Sequence, residues 1–192
     1  MRIVGGKFKG HSIAPPNGSA TRPTSDRVRE SVFNILAHGI EGLEIEGARV
    51  LDLFAGTGAM GLEAVSRGAR FCQFVEESAE ARGLIRRNAD ALGVIGLVKI
   101  WRRDATDLGF CAPQPGFDLV FADPPYGKGL GEKALKSLVA GKWLNPGGIV
   151  VLEESQKAEI PDIAGLMLID ARDYGETKIR FYRGGHGEDQ EA

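Results

Sequence analysis

From Arg49 onward the chain alternates short apolar runs with segments of helical periodicity, and this alternation limits the folds open to it. Val50–Phe54, Phe71–Val75, Leu97–Trp101, Phe117–Ala122 and Gly148–Leu152 read as strands. Between them Ala59–Ser66, Ser78–Leu92 and about Gly131–Ala140 read as helices. Repeated strand–helix units give a largely parallel sheet with helices on both faces, since parallel neighbours need a crossover that covers the sheet. The alternation then stops. Leu166–Ile169 and Lys178–Tyr182 flank Asp173-Tyr174-Gly175-Glu176-Thr177 with no room for a helix, so they form a hairpin. One strand near the sheet's edge is therefore antiparallel. The 192 residues suffice for one domain, and no repeat or linker divides them.

Ahead of this body, residues 1–14 hold two short segments around Gly5-Gly6-Lys7-Phe8-Lys9-Gly10, the pattern of a hairpin with basic side chains near its turn. Pro15-Pro16-Asn17-Gly18-Ser19 is a loop. Thr24 or Ser25 caps a helix to about Ala37, with Val28, Val32, Ile35 and Leu36 on one face. The expected organisation is a hairpin extension over residues 1–20, a body over 21–183 and a disordered tail over 184–192.

Charge is uneven. The first thirty residues hold Arg2, Lys7, Lys9, Arg22, Arg27 and Arg29 against Asp26 and Glu30, although the whole chain carries −2. A positive end on an acidic body fits an anionic partner docking at that end; the alternative is a solvated charged face. No apolar run approaches the roughly 20 residues of a membrane span, and the first residues lack an apolar signal core, so a cytoplasmic protein is expected. Cys72 and Cys111 are too few for a disulfide framework, and His11, His38 and His186 show no metal-ligand spacing. No metal is expected.

Two motifs carry chemistry. Asp123-Pro124-Pro125-Tyr126 follows the fourth apolar run. Two prolines cannot continue a ladder, so the strand stops there and leaves a carboxylate, a rigid carbonyl and an aromatic face at its carboxyl end. That edge is where ligands bind in open α/β sheets. Such a group can grip a planar heterocycle with an exocyclic amine: Asp123 and the Pro124 carbonyl accept its N–H bonds, and the ring stacks on Tyr126. The second motif, Gly56-Thr57-Gly58-Ala59-Met60-Gly61, follows the first strand, and Glu76 ends the second strand twenty positions after Gly56. This fits a nucleotide-cofactor loop with an acid for ribose hydroxyls. Asp52, in the strand feeding the loop, disfavours a pyrophosphate and favours the ammonium and sulfonium of S-adenosylmethionine. Asp104, after the third strand, either accepts from an adenine amine or serves as a turn aspartate.

Together Asp52-Leu53-Phe54-Ala55-Gly56-Thr57-Gly58, Glu76, Asp104 and Asp123-Pro124-Pro125-Tyr126, in that order, resemble the class I S-adenosylmethionine-dependent methyltransferases that act on exocyclic amines. Arg2-Ile3-Val4-Gly5-Gly6-Lys7-Phe8-Lys9-Gly10 and the segment Arg22-Pro23-Thr24-Ser25-Asp26-Arg27-Val28-Arg29-Glu30-Ser31-Val32-Phe33-Asn34-Ile35-Leu36 narrow this to a resemblance to the bacterial 16S ribosomal RNA guanine-N2 methyltransferases, over about residues 2–183. The resemblance implies a Rossmann-like α/β fold, a seven-stranded and mostly parallel sheet with an antiparallel seventh strand. It implies methyl transfer to N2 of one guanine in 16S rRNA, within a small-subunit assembly intermediate, by a monomer. By the same analogy Asp52 and the Gly56 and Gly58 backbone hold the methionine end, Glu76 the ribose and Asp104 the adenine. Phe54 lines the methionine pocket or simply packs. Lys7, Lys9, Arg22, Arg27, Arg29 and Lys128 are candidates for RNA phosphates; Arg22 could instead brace the N-terminal segment, and Lys128 could be merely solvated.

Rival readings remain. A DNA adenine-N6 or cytosine-N4 methyltransferase uses the same clamp, but this length leaves little room for a DNA-reading domain. Protein glutamine methyltransferases typically carry Asn where Asp123 stands. An NAD-dependent oxidoreductase would need a hydride-relay His or Tyr–Lys pair, and none follows the glycine loop. A non-catalytic RNA-binding assembly factor would not need Asp123 and Tyr126.

Overall fold

A computed structural model describes residues 1–16 and 25–185. Ser25 caps the first helix, its hydroxyl accepting from Val28 N–H, and α1 runs Asp26–His38. There follow β1 (Arg49–Leu53), α2 (Ala59–Ser66), β2 (Phe71–Val75), α3 (Ala79–Ala91), β3 (Val98–Trp101), β4 (Phe117–Ala122), α4 (Leu130–Ala140), β5 (Leu144–Ser155), β6 (Leu166–Tyr174) and β7 (Thr177–Gly184). The seven strands form one sheet in the order β3-β2-β1-β4-β5-β7-β6. β1 to β5 are mutually parallel. β7 runs antiparallel between β5 and β6. This is the class I methyltransferase fold expected above.

Alternate residues of each central strand face opposite layers, as the period of two requires. Val50, Phe74, Phe121 and Val151 pack under α1, α2 and α3, with Phe33 of α1 5.5 Å from Phe121 between ring centroids. Leu51, Leu53, Val120 and Leu152 pack under α4 and Trp143. Strand order reverses between β1 and β4: β2 and β3 lie to one side, β5 to the other. The carboxyl ends of β1 and β4 thus bound the crevice in which such sheets hold ligands.

Several expectations are corrected. β5 begins at Leu144, not Gly148, because Asn145-Pro146-Gly147 is absorbed by a register shift against β4 rather than forming a turn outside the strand. Phe54 leaves β1 with φ +56°, and Leu97 belongs to a single 3₁₀ turn. Gly184 lies in β7, so the chain stays ordered past the expected start of the tail. Residues 186–192, like Arg22 and Thr24, fall outside the described residues.

The N-terminal hairpin reduces to one antiparallel bridge, Arg2 with Ser12. Ile3 N–H donating to the His11 carbonyl (3.0 Å) and Gly10 N–H to the Ile3 carbonyl (2.8 Å) support it. It lies against the body: Ile3 and Ile13 are buried in the layer under α1 to α3. Its turn is fastened to the end of α2, with Lys7 N–H on the Ser66 carbonyl at 2.7 Å and Phe8 N–H on Ser66 Oγ at 2.9 Å. Gly6 is required there. Its φ is +73°, and a Cβ would stand 2.0 Å from the Ser66 carbonyl oxygen.

Candidate active site

The glycine loop is built by close packing. A Cβ on Gly61 would meet Phe74 at 2.4 Å and Cys72 Sγ at 2.5 Å, so glycine lets α2 lie directly on β2. Gly58 takes φ +77° as the cap of α2, with no side-chain cap bond. The start of α2 thus has no cap from the residue before it, and Asp52 bonds one of its first amides, that of Gly61. A Cβ on Gly56 would meet only the Phe54 carbonyl oxygen, at 3.9 Å, leaving room for a ligand to lie against the backbone. Glu76 spans the loop: Oε2 accepts from Gly56 N–H (3.0 Å) and Oε1 from Ser78 N–H (2.8 Å). Asp52 lies beneath, 3% exposed, its Oδ2 accepting from Gly61 N–H at 2.9 Å. Burial, with Glu76 nearby adding to it, pushes the Asp52 carboxyl up to about 8. A buried carboxyl under an open glycine face fits a donor that brings positive charge, such as S-adenosylmethionine, because that charge favours the ionised carboxylate. Asp104 is exposed; its Oδ1 accepts from both the N–H and hydroxyl of Thr106 at 2.7 Å, which holds the carboxyl below its usual range. Those contacts are those of a turn aspartate.

The second half of the site shares a wall with the first. Leu53 pairs with Ala122, and Asp123 N–H donates to the Leu53 carbonyl at 3.4 Å, so the clamp begins beside the glycine loop. Burial, then the charges of Glu153, Asp52 and Glu154, push the Asp123 carboxyl well above the usual carboxylate range. Pro124 is buried and its ring approaches α4 at Gly131, which fixes the direction of its carbonyl. Tyr126 stays 43% exposed while its hydroxyl donates to Glu153 Oε1 at 2.8 Å and lies 2.9 Å from Thr177 Oγ1. The hydroxyl is tied down and the ring remains open at the mouth of the crevice. Burial raises the Tyr126 hydroxyl's pKa, so it stays a donor to Glu153.

Three comparisons bear on this arrangement. A family model described as conserved hypothetical protein 95 matches residues 1–183. The chain belongs to that family. It is 33% identical over 186 residues to the ribosomal RNA small subunit methyltransferase D of Escherichia coli strain K12, covering 95% of this chain and 89% of that one. The corresponding Haemophilus influenzae protein is 30% identical over 185 residues, covering 95% and 93%. The solved structure of Escherichia coli yhhF superposes with a TM-score of 0.82 at 31% identity, covering 97% of this chain and 98% of that one.

In this member of the conserved hypothetical protein 95 family the expected RNA residues divide. Lys7, Lys9, Arg27 and Lys128 are exposed; Lys7 Nζ stands over the Phe8 ring at 5.4 Å. Arg29 does not join them. It is 0% exposed and pairs with Asp26 (2.9 Å) and with buried Glu63 (3.6 Å), so it fastens α1 to α2 instead of facing a phosphate. Its Nη2 also donates to the Arg2 carbonyl. Arg22 lies outside the described residues. Sequence reasoning missed Glu153, Thr177 and Asn88. Asn88 is buried on α3 and ties the N-terminal segment to the cofactor loop: Oδ1 accepts from Ala14 N–H (2.8 Å), and Nδ2 donates to the carbonyls of Ala14 (3.2 Å) and Thr57 (3.0 Å). For Glu153 a signal existed, since Glu153-Glu154 ends an apolar run at the same sheet edge as Asp123. Among the described residues no group of three or more His, Cys, Asp or Glu could hold a metal ion, and no helix is long and apolar enough to cross a membrane.

Proposed function

We propose that the chain methylates the exocyclic N2 amine of a guanine in small-subunit ribosomal RNA with S-adenosylmethionine. The observation that carries this is the shared wall: the cofactor cradle ends β1 and the amine clamp ends the neighbouring β4, joined by the Asp123–Leu53 backbone bond. The names of the Escherichia coli and Haemophilus influenzae relatives, ribosomal RNA small subunit methyltransferases, support rRNA as the substrate.

When bound, S-adenosylmethionine supplies the methyl group as an electrophile. Asp52 and the Gly56–Gly58 backbone would hold its methionine end and Glu76 its ribose, and Asp104, if it gave up its turn bonds to Thr106, would accept from the adenine amine. The target base must leave its stack, at a cost of a few kcal/mol; stacking on Tyr126 returns on the order of 1–3 kcal/mol. Guanine N2 is a weak nucleophile because its lone pair is delocalised into the ring. Asp123 and the Pro124 carbonyl each accept one N–H, turn the lone pair out of the ring plane and stabilise the positive charge that develops on nitrogen. Asp123 in its ionised form, or water, takes the proton that nitrogen releases.

The test is to delete the gene and digest small-subunit rRNA for mass spectrometry. One N2-methylguanine disappears. The purified protein restores it on the deletion strain's particles from methyl-labelled S-adenosylmethionine, and Asp123→Ala does not, while its cofactor affinity stays within a few-fold. An unchanged N2-methylguanine content in the deletion strain would overturn the assignment.

A further inference from the structure

Asp123 and the Pro124 carbonyl offer two acceptors, which satisfy the two N–H bonds of any exocyclic amine. They do not by themselves tell guanine from adenine or cytosine. The difference lies one atom along the ring. Beside its amine guanine carries N1–H, a donor, whereas adenine carries N1 and cytosine N3, each a bare acceptor. A site for guanine needs a third acceptor next to the clamp, and a site for the other two must not have one.

The third acceptor is present. Phe121 and Val151 are register partners buried in the same layer, and so are directed to one face. Two residues on, Asp123 and Glu153 point to that face again, one step beyond the last pair, Ala122 with Leu152. Glu153 is the largest of the neighbouring charges that raise the Asp123 carboxyl. It also holds the hydroxyl of Tyr126 at 2.8 Å. The residue thus touches the stacking ring and stands beside the amine clamp. A carboxylate has two oxygens and about four lone-pair directions, and so can serve several donors at once.

Resting on the functional reading above, we infer that Glu153 is the specificity-determining residue of this site, accepting N1–H of the flipped guanine while Asp123 and Pro124 hold its amine. Adenine or cytosine in the same pose would set a ring lone pair against the carboxylate, an acceptor facing an acceptor. Sites that pair a substrate N–H reject analogues lacking it far more strongly than sites that read shape alone.

The experiment compares particles assembled on rRNA carrying guanine or 2-aminopurine at the mapped target. 2-Aminopurine keeps the N2 amine, replaces N1–H with a bare N1 and lacks the C6 carbonyl, so it is the change on Glu153→Gln that isolates N1. The wild-type protein should prefer guanine by at least about 100-fold in kcat/KM. Glu153→Gln presents an amide that can donate to a bare N1, and should narrow this preference by at least tenfold with cofactor affinity unchanged. Tyr126→Phe keeps the ring and removes the hydroxyl held by Glu153; it should slow both substrates by the same factor and leave the preference intact. Three results overturn the inference: a wild-type enzyme indifferent to N1–H, a Glu153→Gln preference equal to wild type, or a Tyr126→Phe preference shifted as in Glu153→Gln, which would mean that Glu153 acts only through the tyrosine. The first needs no variant to fold. A wild type that leaves the guanine particle unmethylated would instead sink the functional reading itself.

Discussion

Asp52 is a carboxyl under a loop of glycines with one backbone donor to satisfy it, Gly61 N–H at 2.9 Å. Its placement trades stability for a cationic ligand. In the unfolded chain such a group ionises near 3.9; in the fold it does so at about 8, because burial penalises the charged form. Between those values the folded state holds a proton that the unfolded state has released. This carboxyl therefore costs the ligand-free protein stability as pH rises from about 4 to about 8, by about 1.4 kcal/mol per pH unit, and costs nothing further above that; the raised Asp123 carboxyl adds its own dependence of the same sign. Asp52→Asn keeps an acceptor for Gly61 and removes the titration. The variant should melt higher than wild type at pH 8, show a flatter dependence of melting temperature between pH 5 and 8, and bind S-adenosylmethionine more weakly. Thermal melts across that range and calorimetric titration measure all three. An Asn variant with the wild-type slope would mean that Asp52 ionises freely and is not the cationic ligand's floor.

Among the elements, α2 shows most plainly what the sequence could and could not tell. Its eight residues, Ala59–Ser66, were legible to the residue because the glycines before it and the apolar run after it are local signals. So were β2, an apolar run between charged residues, and β4, bounded by Gly116 and by the prolines after Asp123. What escaped was long-range. Arg29 looks like one more basic residue until Glu63, thirty-four positions away, is found buried beside it. Asn88 looks like a helix-surface residue until Ala14, 74 positions distant, is found pairing with it. Glu153 enters the site only through the β4–β5 register. Local pattern specifies elements, and register and docking specify sites. The same helix yields a prediction whose sign depends on that distinction. Gly61→Ala inside a helix ordinarily gains about 0.8–1.0 kcal/mol of propensity. Here the new methyl would meet Phe74 at 2.4 Å and Cys72 at 2.5 Å, both in a central strand that cannot retreat. Overpacking of this kind costs about 1–3 kcal/mol, so the substitution should lower stability and loosen the cofactor loop. Chemical denaturation reading an increase in stability would show that α2 can slide on β2.

Taken whole, the molecule places its two kinds of surface at opposite ends of α2. The glycine loop sits at the helix start, and the turn bearing Lys7 and Lys9 is fastened to Ser66 at its end. Eight residues at 1.5 Å each separate them by about 12 Å. If these lysines contact RNA, the RNA must extend from the clamp along the face made by the N-terminal segment, with one nucleotide drawn into the crevice and its flanks held elsewhere. Removing the segment would not test this cleanly. Ile3 and Ile13 are core residues, and Glu63, which accepts from Val4 N–H at 2.8 Å and pairs with Arg29, would lose a partner inside the protein. Cutting one buried isoleucine back to alanine already costs about 2–5 kcal/mol, and truncation removes two, so a truncated chain would fail in folding before it failed in binding. Charge reversal at the exposed tip avoids that. Lys7→Glu with Lys9→Glu should leave melting temperature and S-adenosylmethionine affinity near wild type while weakening binding to small-subunit particles. If both lysines neutralise phosphates, the slope of log affinity against log salt should flatten by about 0.7–0.9 per lysine. Filter binding between 50 and 200 mM salt reads that slope directly. A double variant with weaker affinity but the wild-type slope would show that the turn contributes shape rather than counterion release, and would leave the phosphate contacts to exposed Arg27 on α1 and to Lys128 beside Tyr126.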